Sequence, residues 1–282
     1  MTLIAGTVAE ALAAASDALA AAGVDTPRLD AELLLAEATG RARSSLIANG
    51  DAGVEPEVAR KFGAFVRRRL RREPVAYIVG RKAFRRIELE VDRRVLIPRP
   101  ETELLVEAAV ERRPRSVLDV GTGSGAVALA VADELGDVAV SGTDVSAPAI
   151  EVARANAARL ALDERVTFSI GDLVAHTANK SPNPPEWDLV LANLPYVKDK
   201  DWQTLQPEIR LYEPKEAILG GPDGLDAIRD LLAAPPDCHA IALEVGQGQA
   251  TTVERLVNDA GFARTEVRRD LAGIDRAVIG RR

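Results

Sequence analysis

The sequence predicts an α/β chain: a doubly wound, seven-stranded sheet preceded by a small helical bundle domain and a β-hairpin linker. Three observations carry that expectation. Helical spacing of apolar residues fills the first 75 positions, the period shifts to two between residues 78 and 97, and strands alternate with helices beyond Glu101. With 282 residues, 47% hydrophobic and 28% charged, the chain has material for two cores and is no disordered polymer.

An Ala-rich helix over 7–22 is stopped by Gly23. A second helix has Thr26 as N-cap, Pro27 at its first position and Asp30 and Glu32 in its first turns; Gly40 ends it. Its Leu29, Leu33, Leu34 and Ala36 are expected on one buried side. A third helix, 56–72, carries Val58, Phe62, Phe65, Val66 and Leu70 at helical spacing and stops before Pro74. Ile87, Leu89 and Val91 then alternate with charges as one strand, with Val95-Leu96-Ile97 expected as its hairpin partner. The expected domains are therefore 1–75, a linker over 76–100, and 101–282.

Beyond Glu101, strands are expected at 116–120, 138–143, 165–170, 187–193, 240–245, 263–268 and 275–280. Helices fall near 101–112, 126–135, 147–160, 224–233 and 248–260. Helices of that length between strands imply parallel crossovers. Only Arg269–Ile274 separates the last two strands, too little for a crossover, so they should pair antiparallel. Seven strands with the last reversed is the methyltransferase variant of the doubly wound sheet.

Composition narrows the chemistry. The net charge of −7 gives no global field for polyanions. Residues 60–115 nevertheless hold 17 Lys/Arg against 8 Asp/Glu, leaving −16 on the rest. That basic segment is a solvated helix face or a docking surface, and it leaves a nucleic-acid contact open. Cys238 is the lone cysteine and His176 and His239 the only histidines, which excludes a disulfide framework and a Cys/His metal site. The start lacks the features of a signal peptide, and no run of about 18 apolar residues exists, so a cytoplasmic protein without a membrane span is expected.

The first sheet strand runs into Asp119-Val120-Gly121-Thr122-Gly123-Ser124-Gly125. Glycines at alternate positions let backbone approach a ligand, and the following helix N-terminus offers unpaired N–H groups. Asp144 ends the second strand 21 positions after Gly123, where a carboxylate can accept both ribose hydroxyls. Asp172 and Leu173 close the third, where a carboxylate can accept from an adenine amino group. These ends suit a nucleoside bearing an amino-acid tail, as in S-adenosylmethionine, with Asp119 near its ammonium. NAD stays open on these motifs alone.

The fourth strand ends in Asn193-Leu194-Pro195-Tyr196, which resembles the D/N-P-P-Y motif of methyltransferases acting on amide or amino nitrogens. Such nitrogens are poor nucleophiles because their lone pair is delocalised. The Asn193 and Leu194 carbonyls can each accept one N–H, aiming the lone pair at a methyl group, with Tyr196 as a flat wall. Leu194 replaces the usual first proline, as in ribosomal RNA adenine dimethyltransferases; Pro195 still biases residue 194 towards extended backbone.

The whole chain resembles the N5-glutamine methyltransferases of peptide chain release factors. The resemblance runs through Arg72–Gly80, Leu96–Glu103, the glycine loop, Asn193–Tyr196, Glu213-Pro214, Gly220–Leu225 and Asp270–Arg276. It implies methyl transfer from S-adenosylmethionine, yielding S-adenosylhomocysteine, to the glutamine of a release factor's Gly-Gly-Gln motif. By resemblance Asn193, Leu194, Pro195 and Tyr196 hold that glutamine. Asp119, Gly121, Thr122, Gly123, Ser124, Gly125, Asp144, Asp172, Leu173 and Asn193 bind the cofactor, and the N-terminal bundle docks the substrate. Glu101 either packs over the site or serves as a helix N-terminal acid. The alternatives are N6-adenine methylation of RNA or DNA and a non-catalytic cofactor-binding protein.

Overall fold

The computed structural model describes residues 6–171 and 186–282, which divide into two compact units. The first comprises the chain up to Gly80 together with Gln206–Tyr212, and the second comprises Arg81–Leu205 and Glu213–Arg282. Among the described residues no helix is long and apolar enough to cross a membrane.

In the first unit, α1 (Val8–Ala21), α2 (Pro27–Thr39), α3 (Arg43–Ala48), α4 (Pro56–Leu70) and α5 (Val75–Val79) surround a core that includes Leu12, Leu19, Leu34, Leu35, Leu46 and Phe62. A capping box starts α1: the Glu10 N–H donates to Thr7 Oγ1, and the Thr7 N–H donates to Glu10 Oε2. Helix α2 differs from expectation on two counts. The Thr26 hydroxyl donates to Asp30 Oδ1 instead of capping the helix, and the buried face is Ala31, Leu34, Leu35 and Ala38. Leu29 and Leu33 are exposed, because Asp30 turns inward to meet a buried arginine of α4.

That arginine is Arg69, whose Nε donates to Asp30 at 2.7 Å and whose Nη1 lies 2.7 Å from Glu208. Glu208 belongs to the short helix of residues 207–212 and also receives both Arg72 nitrogens at 2.8 Å. Arg68 pairs with Glu73 through two bonds. Three of the five arginines expected on a solvated or docking face are therefore spent on internal partners, Arg68 and Arg72 in the bidentate geometry that guanidinium favours and Arg69 between two acids.

The second unit begins with a two-stranded hairpin, β1 (Arg81–Phe84) and β2 (Ile87–Glu90), turned at Arg85 with φ +51°. The alternation at Ile87 and Leu89 was legible, but the partner strand is 81–84, not 95–97. Val95 and Ile97 are buried outside any ladder, and the Ile97 N–H donates to the Glu213 carboxylate. The backbone donor there is met by a side chain rather than a strand.

There follow α6 (Glu103–Arg112), β3 (Ser116–Val120), α7 (Ala126–Glu134), β4 (Ala139–Asp144), α8 (Ala147–Arg159), β5 (Val166–Ile170) and β6 (Trp187–Ala192). After α9 (Pro207–Tyr212) come α10 (Asp226–Ala233), β7 (Cys238–Glu244), α11 (Ala250–Asp259), β8 (Arg264–Arg269) and β9 (Asp275–Arg281). The seven strands lie in the order β5-β4-β3-β6-β7-β9-β8. Strand β9 runs antiparallel to both neighbours and the other contacts are parallel. This is the seven-stranded methyltransferase sheet. Central β3, β6 and β7 are buried almost throughout, as strands covered on both faces must be. Strand order reverses at β3, so the ligand crevice belongs at the carboxyl ends of β3, β4 and β6.

Candidate active site

Asp119, one residue from the end of β3, is 1% exposed. Its Oδ2 accepts from Thr122 Oγ1 at 2.6 Å and from the Ala128 N–H at 3.1 Å, tying the loop to the first turn of α7. Burial pushes this carboxyl up to about 6, against the lowering pull of those two donors. The loop amides of Gly121 and Thr122 both donate to the Thr143 carbonyl of β4. Two glycines explain the loop's shape. Gly125 has φ +82°, and a Cβ there would meet Leu129 at 2.9 Å and Phe168 at 3.1 Å. Gly123 has φ +55° with open space where a Cβ would stand. Thr122, Ser124 and Gly125 are buried, whereas Gly121 and Gly123 are part-exposed on the crevice side.

Asp144 ends β4. Its Oδ2 accepts from the Gly123 N–H and its Oδ1 from the Ser146 N–H, both at 2.9 Å. The helix cap is Ser146, whose hydroxyl accepts from Ala149, so Asp144 is not needed as an N-cap. Each Asp144 oxygen keeps further acceptor capacity. Val145 beside it is 62% exposed, and Ile170, which pairs with Asp144 across the sheet, is 47% exposed. Two uncovered apolar side chains on adjacent strand ends offer a surface for a flat ring. Asp172 and Leu173 lie outside the described residues.

Beyond β6, Asn193 Nδ2 donates to Thr102 Oγ1 at 3.0 Å, which leaves Asn193 Oδ1 as an acceptor with no donor among the described residues. Leu194 is buried in the sheet core, and a Cβ on Gly121 would stand 3.1 Å from its Cδ2. The side chain that replaces proline thus packs the glycine loop against the Asn193 segment. Pro195 and Tyr196 are buttressed from behind. A Cβ at Gly220 would come within 2.4 Å of the Pro195 carbonyl, and one at Gly224 within 2.2 Å of the Tyr196 carbonyl. Gln249 completes the clamp: its Oε1 accepts from the Gly246 N–H, and its Nε2 donates to the Tyr196 carbonyl at 3.0 Å.

The Tyr196 hydroxyl donates to Glu244 Oε1 at 3.1 Å, and burial beside that carboxyl raises the phenol above its ordinary value. Glu244, at the end of β7, is 2% exposed. Burial lifts it to about 7; the Thr102 and Tyr196 hydroxyls and Arg276 oppose the rise, and Glu101 adds to it.

Of the residues singled out in the sequence, Asp119, the loop, Asp144 and Asn193–Tyr196 converge on one edge of the sheet. Glu244, Gln249, Thr102 and Asn156 were missed. Asn156 is fully buried; its amide accepts from the Glu90 N–H and donates to the Ser124 carbonyl, joining the hairpin to the loop. Glu244 alone had a legible signal: a carboxylate closing an apolar strand at the same edge as Asp144.

A model of the PrmC N-terminal domain matches residues 10–80, and one of the methyltransferase small domain matches 100–209. A release factor glutamine methyltransferase of Caulobacter vibrioides is 39% identical, the match covering 97% of this chain and 96% of that one. One of Geobacter sulfurreducens is also 39% identical, over 93% and 92%. Among solved structures, the hMettl16 catalytic domain in complex with a MAT2A 3'UTR hairpin aligns with TM-score 0.53 at 13% identity, covering 68% of this chain and 74% of that chain. That likeness is one of fold.

Proposed function

The chain belongs to the release factor glutamine methyltransferase family, and from that membership we propose that it transfers a methyl group from S-adenosylmethionine to the side-chain amide nitrogen of the Gly-Gly-Gln glutamine of a release factor. The observation that carries the reading is the bond from Asn193 Nδ2 to Thr102, because it leaves Oδ1 to accept a substrate N–H beside the glycine loop. Oδ1 and the Leu194 carbonyl together would take both protons of a primary amide. That orients the nitrogen lone pair and stabilises positive charge as it develops. Tyr196, fixed by Glu244 and Gln249, would bound the planar amide.

The residues present suit the cofactor. Gly123 leaves room where a side chain would intrude, Asp144 offers spare acceptors to a ribose, and Val145 and Ile170 offer apolar surface to a base. Asp119 would face the ammonium through its carboxylate, and Asp172 and Leu173 stay in the proposal from the sequence. When bound, the cofactor supplies a sulfonium-activated methyl group. The chain's own work is to bind, orient and exclude water. Docking of the release factor is assigned to the helical unit, supported by exposed Leu29, Leu33, Ile47 and Leu70 there.

The test is incubation with labelled S-adenosylmethionine and either a release factor or ribosomal RNA. Label on the Gly-Gly-Gln glutamine is expected; label on RNA and none on the factor would refute the reading.

A further inference from the structure

Pro98 and Pro100 leave the segment that leads into the site poor in backbone donors, since neither has an N–H. Outside any strand, such a segment must take its position from side chains. Glu213, 6% exposed, supplies it. Its Oε2 accepts from the Ile97 N–H at 3.1 Å and its Oε1 from Arg99 Nη2, so one buried carboxylate holds the segment at two points. Both partners lie more than a hundred residues upstream, so the Glu213-Pro214 pair gives no sign of this duty in the sequence.

From that clamp to Asn193 the route is hydrogen-bonded throughout. Arg99 precedes a single 3-10 turn, Pro100–Thr102, and its carbonyl accepts from the Thr102 N–H at 3.2 Å. The turn sets the buried Thr102 side chain where its hydroxyl accepts from Asn193 Nδ2 at 3.0 Å. The Asn193 side-chain amide has no other hydrogen-bond partner among the described residues. Its place thus depends on a hydroxyl whose own place depends on Glu213.

We propose that Glu213 is a positioning residue: by clamping Ile97 and Arg99 it holds the Pro100–Thr102 turn, and through Thr102 it holds the Asn193 amide where it can accept a substrate N–H. The proposal rests on the reading that Asn193 Oδ1 is that acceptor. Glu213 touches no reacting atom, so its contribution is one of alignment, and a misplacement of about 1 Å costs about 100-fold in rate. The effect falls on kcat and not on the cofactor. Asp119, the glycine loop and Asp144 are tied to one another and to β4 by bonds that do not pass through Glu213.

Glu213→Gln tests the assignment, because glutamine keeps an oxygen for one donor and removes the charge that Arg99 meets. With release factor and cofactor saturating, kcat should fall about 10- to 100-fold, while calorimetry shows cofactor affinity unchanged. The decisive readout is a cycle with Asn193→Ala. Once the Asn193 amide is gone, Glu213→Gln should cost nothing further in kcat. A loss that multiplies in full in the double variant marks a merely structural role and overturns the proposal, as does a Glu213→Gln enzyme with the wild-type kcat. Arg99→Gln covers the case in which Glu213→Gln fails to fold. It changes a part-exposed side chain and breaks the charge pair while Ile97 keeps its acceptor, and the same cycle is expected of it. Thr102→Val cuts the route at its other end and should reproduce the fall in kcat; a wild-type kcat there also overturns the proposal. A further readout needs no substrate: the Asn193 side-chain amide signals in 15N NMR, assigned by their loss in Asn193→Ala. They should shift in Glu213→Gln and in Arg99→Gln, and signals unmoved in both overturn the proposal. Absence of methylation by the wild-type enzyme, or full turnover by Asn193→Ala, would instead refute the functional reading, and the NMR signals would still decide whether Glu213 positions Asn193.

Discussion

Replacing Asp119 by asparagine separates its two duties, one to the fold and one to the cofactor. Both hydrogen bonds it receives land on the same oxygen, Oδ2, so an asparagine carbonyl in that place keeps them. What asparagine removes is charge in a fully buried position. Raising an aspartate from 3.8 to about 6 corresponds to about 3 kcal/mol. Its folded-state value lies above its unfolded one. The associated stability is thus fully present below about 4, near the unfolded value, and is lost as pH rises through 6. The wild type should accordingly lose ground to Asp119→Asn over that window, ending about 2–3 kcal/mol less stable, or roughly 5–10 °C lower in melting temperature. The difference between the two proteins isolates Asp119, since every other carboxylate titrates in both. Cofactor binding should change in the opposite sense. Loss of the charge facing an ammonium costs about 1.5–3 kcal/mol, or about 10- to 100-fold in affinity. The wild-type affinity, measured by calorimetry, should also weaken as pH falls through the Asp119 midpoint and level off about 10- to 100-fold lower, while the variant's stays flat. Equal melting curves across the window, with cofactor affinity unchanged by the substitution, would refute the reasoning.

Asn193→Ala removes the acceptor for the substrate amide and should lower kcat by about 10²- to 10³-fold while calorimetry shows cofactor binding retained. Gly224→Ala sets a Cβ against the Tyr196 carbonyl from a backbone with φ +80°, so it should displace the motif and reduce turnover even where circular dichroism is native. Leu194→Ala opens a gap between the glycine loop and the sheet core and should cost about 2–4 kcal/mol in urea unfolding. A Leu194→Ala protein as stable as the wild type would show that this side chain does not join the two segments.

The fold was legible because its main signals are local. Continuous apolar strands, helices of crossover length and a short connection before β9 dictate a parallel sheet with one reversed strand. The glycine loop, Asp144 and Asn193 were legible because strand ends on one edge of such a sheet are neighbours whatever the loops do. Strand β1 was not, since Arg81-Lys82-Ala83-Phe84 offers one buried side chain and no alternation. Gln249, Thr102 and Asn156 were not, because each matters through a partner far away in sequence: Gln249 to Tyr196, Thr102 to Asn193, Asn156 to Ser124. A polar residue that satisfies a distant backbone or amide group looks, in sequence, like any surface residue.

The same non-locality corrects the weight given to the basic segment. Its excess of +9 over residues 60–115 is a count along the chain, whereas a field is set by neighbours in space. Arg69 and Arg72 meet Glu208, Arg85 meets Glu134 and Arg99 meets Glu213, all acids from outside that segment. Arg68 and Arg94 meet Glu73 and Asp92 within it. Guanidinium groups held in these pairs serve packing first, and breaking a pair as buried as Arg69–Asp30 would strand a charge rather than free a docking group. Among the described residues, the helical unit keeps uncovered leucines as well as exposed Arg67 and Arg71, and the leucines supply its apolar surface. A partner that docks there should accordingly be sensitive to Leu29→Ser and Leu33→Ser and only weakly sensitive to salt, because apolar burial lacks the screening that a charge-steered contact shows.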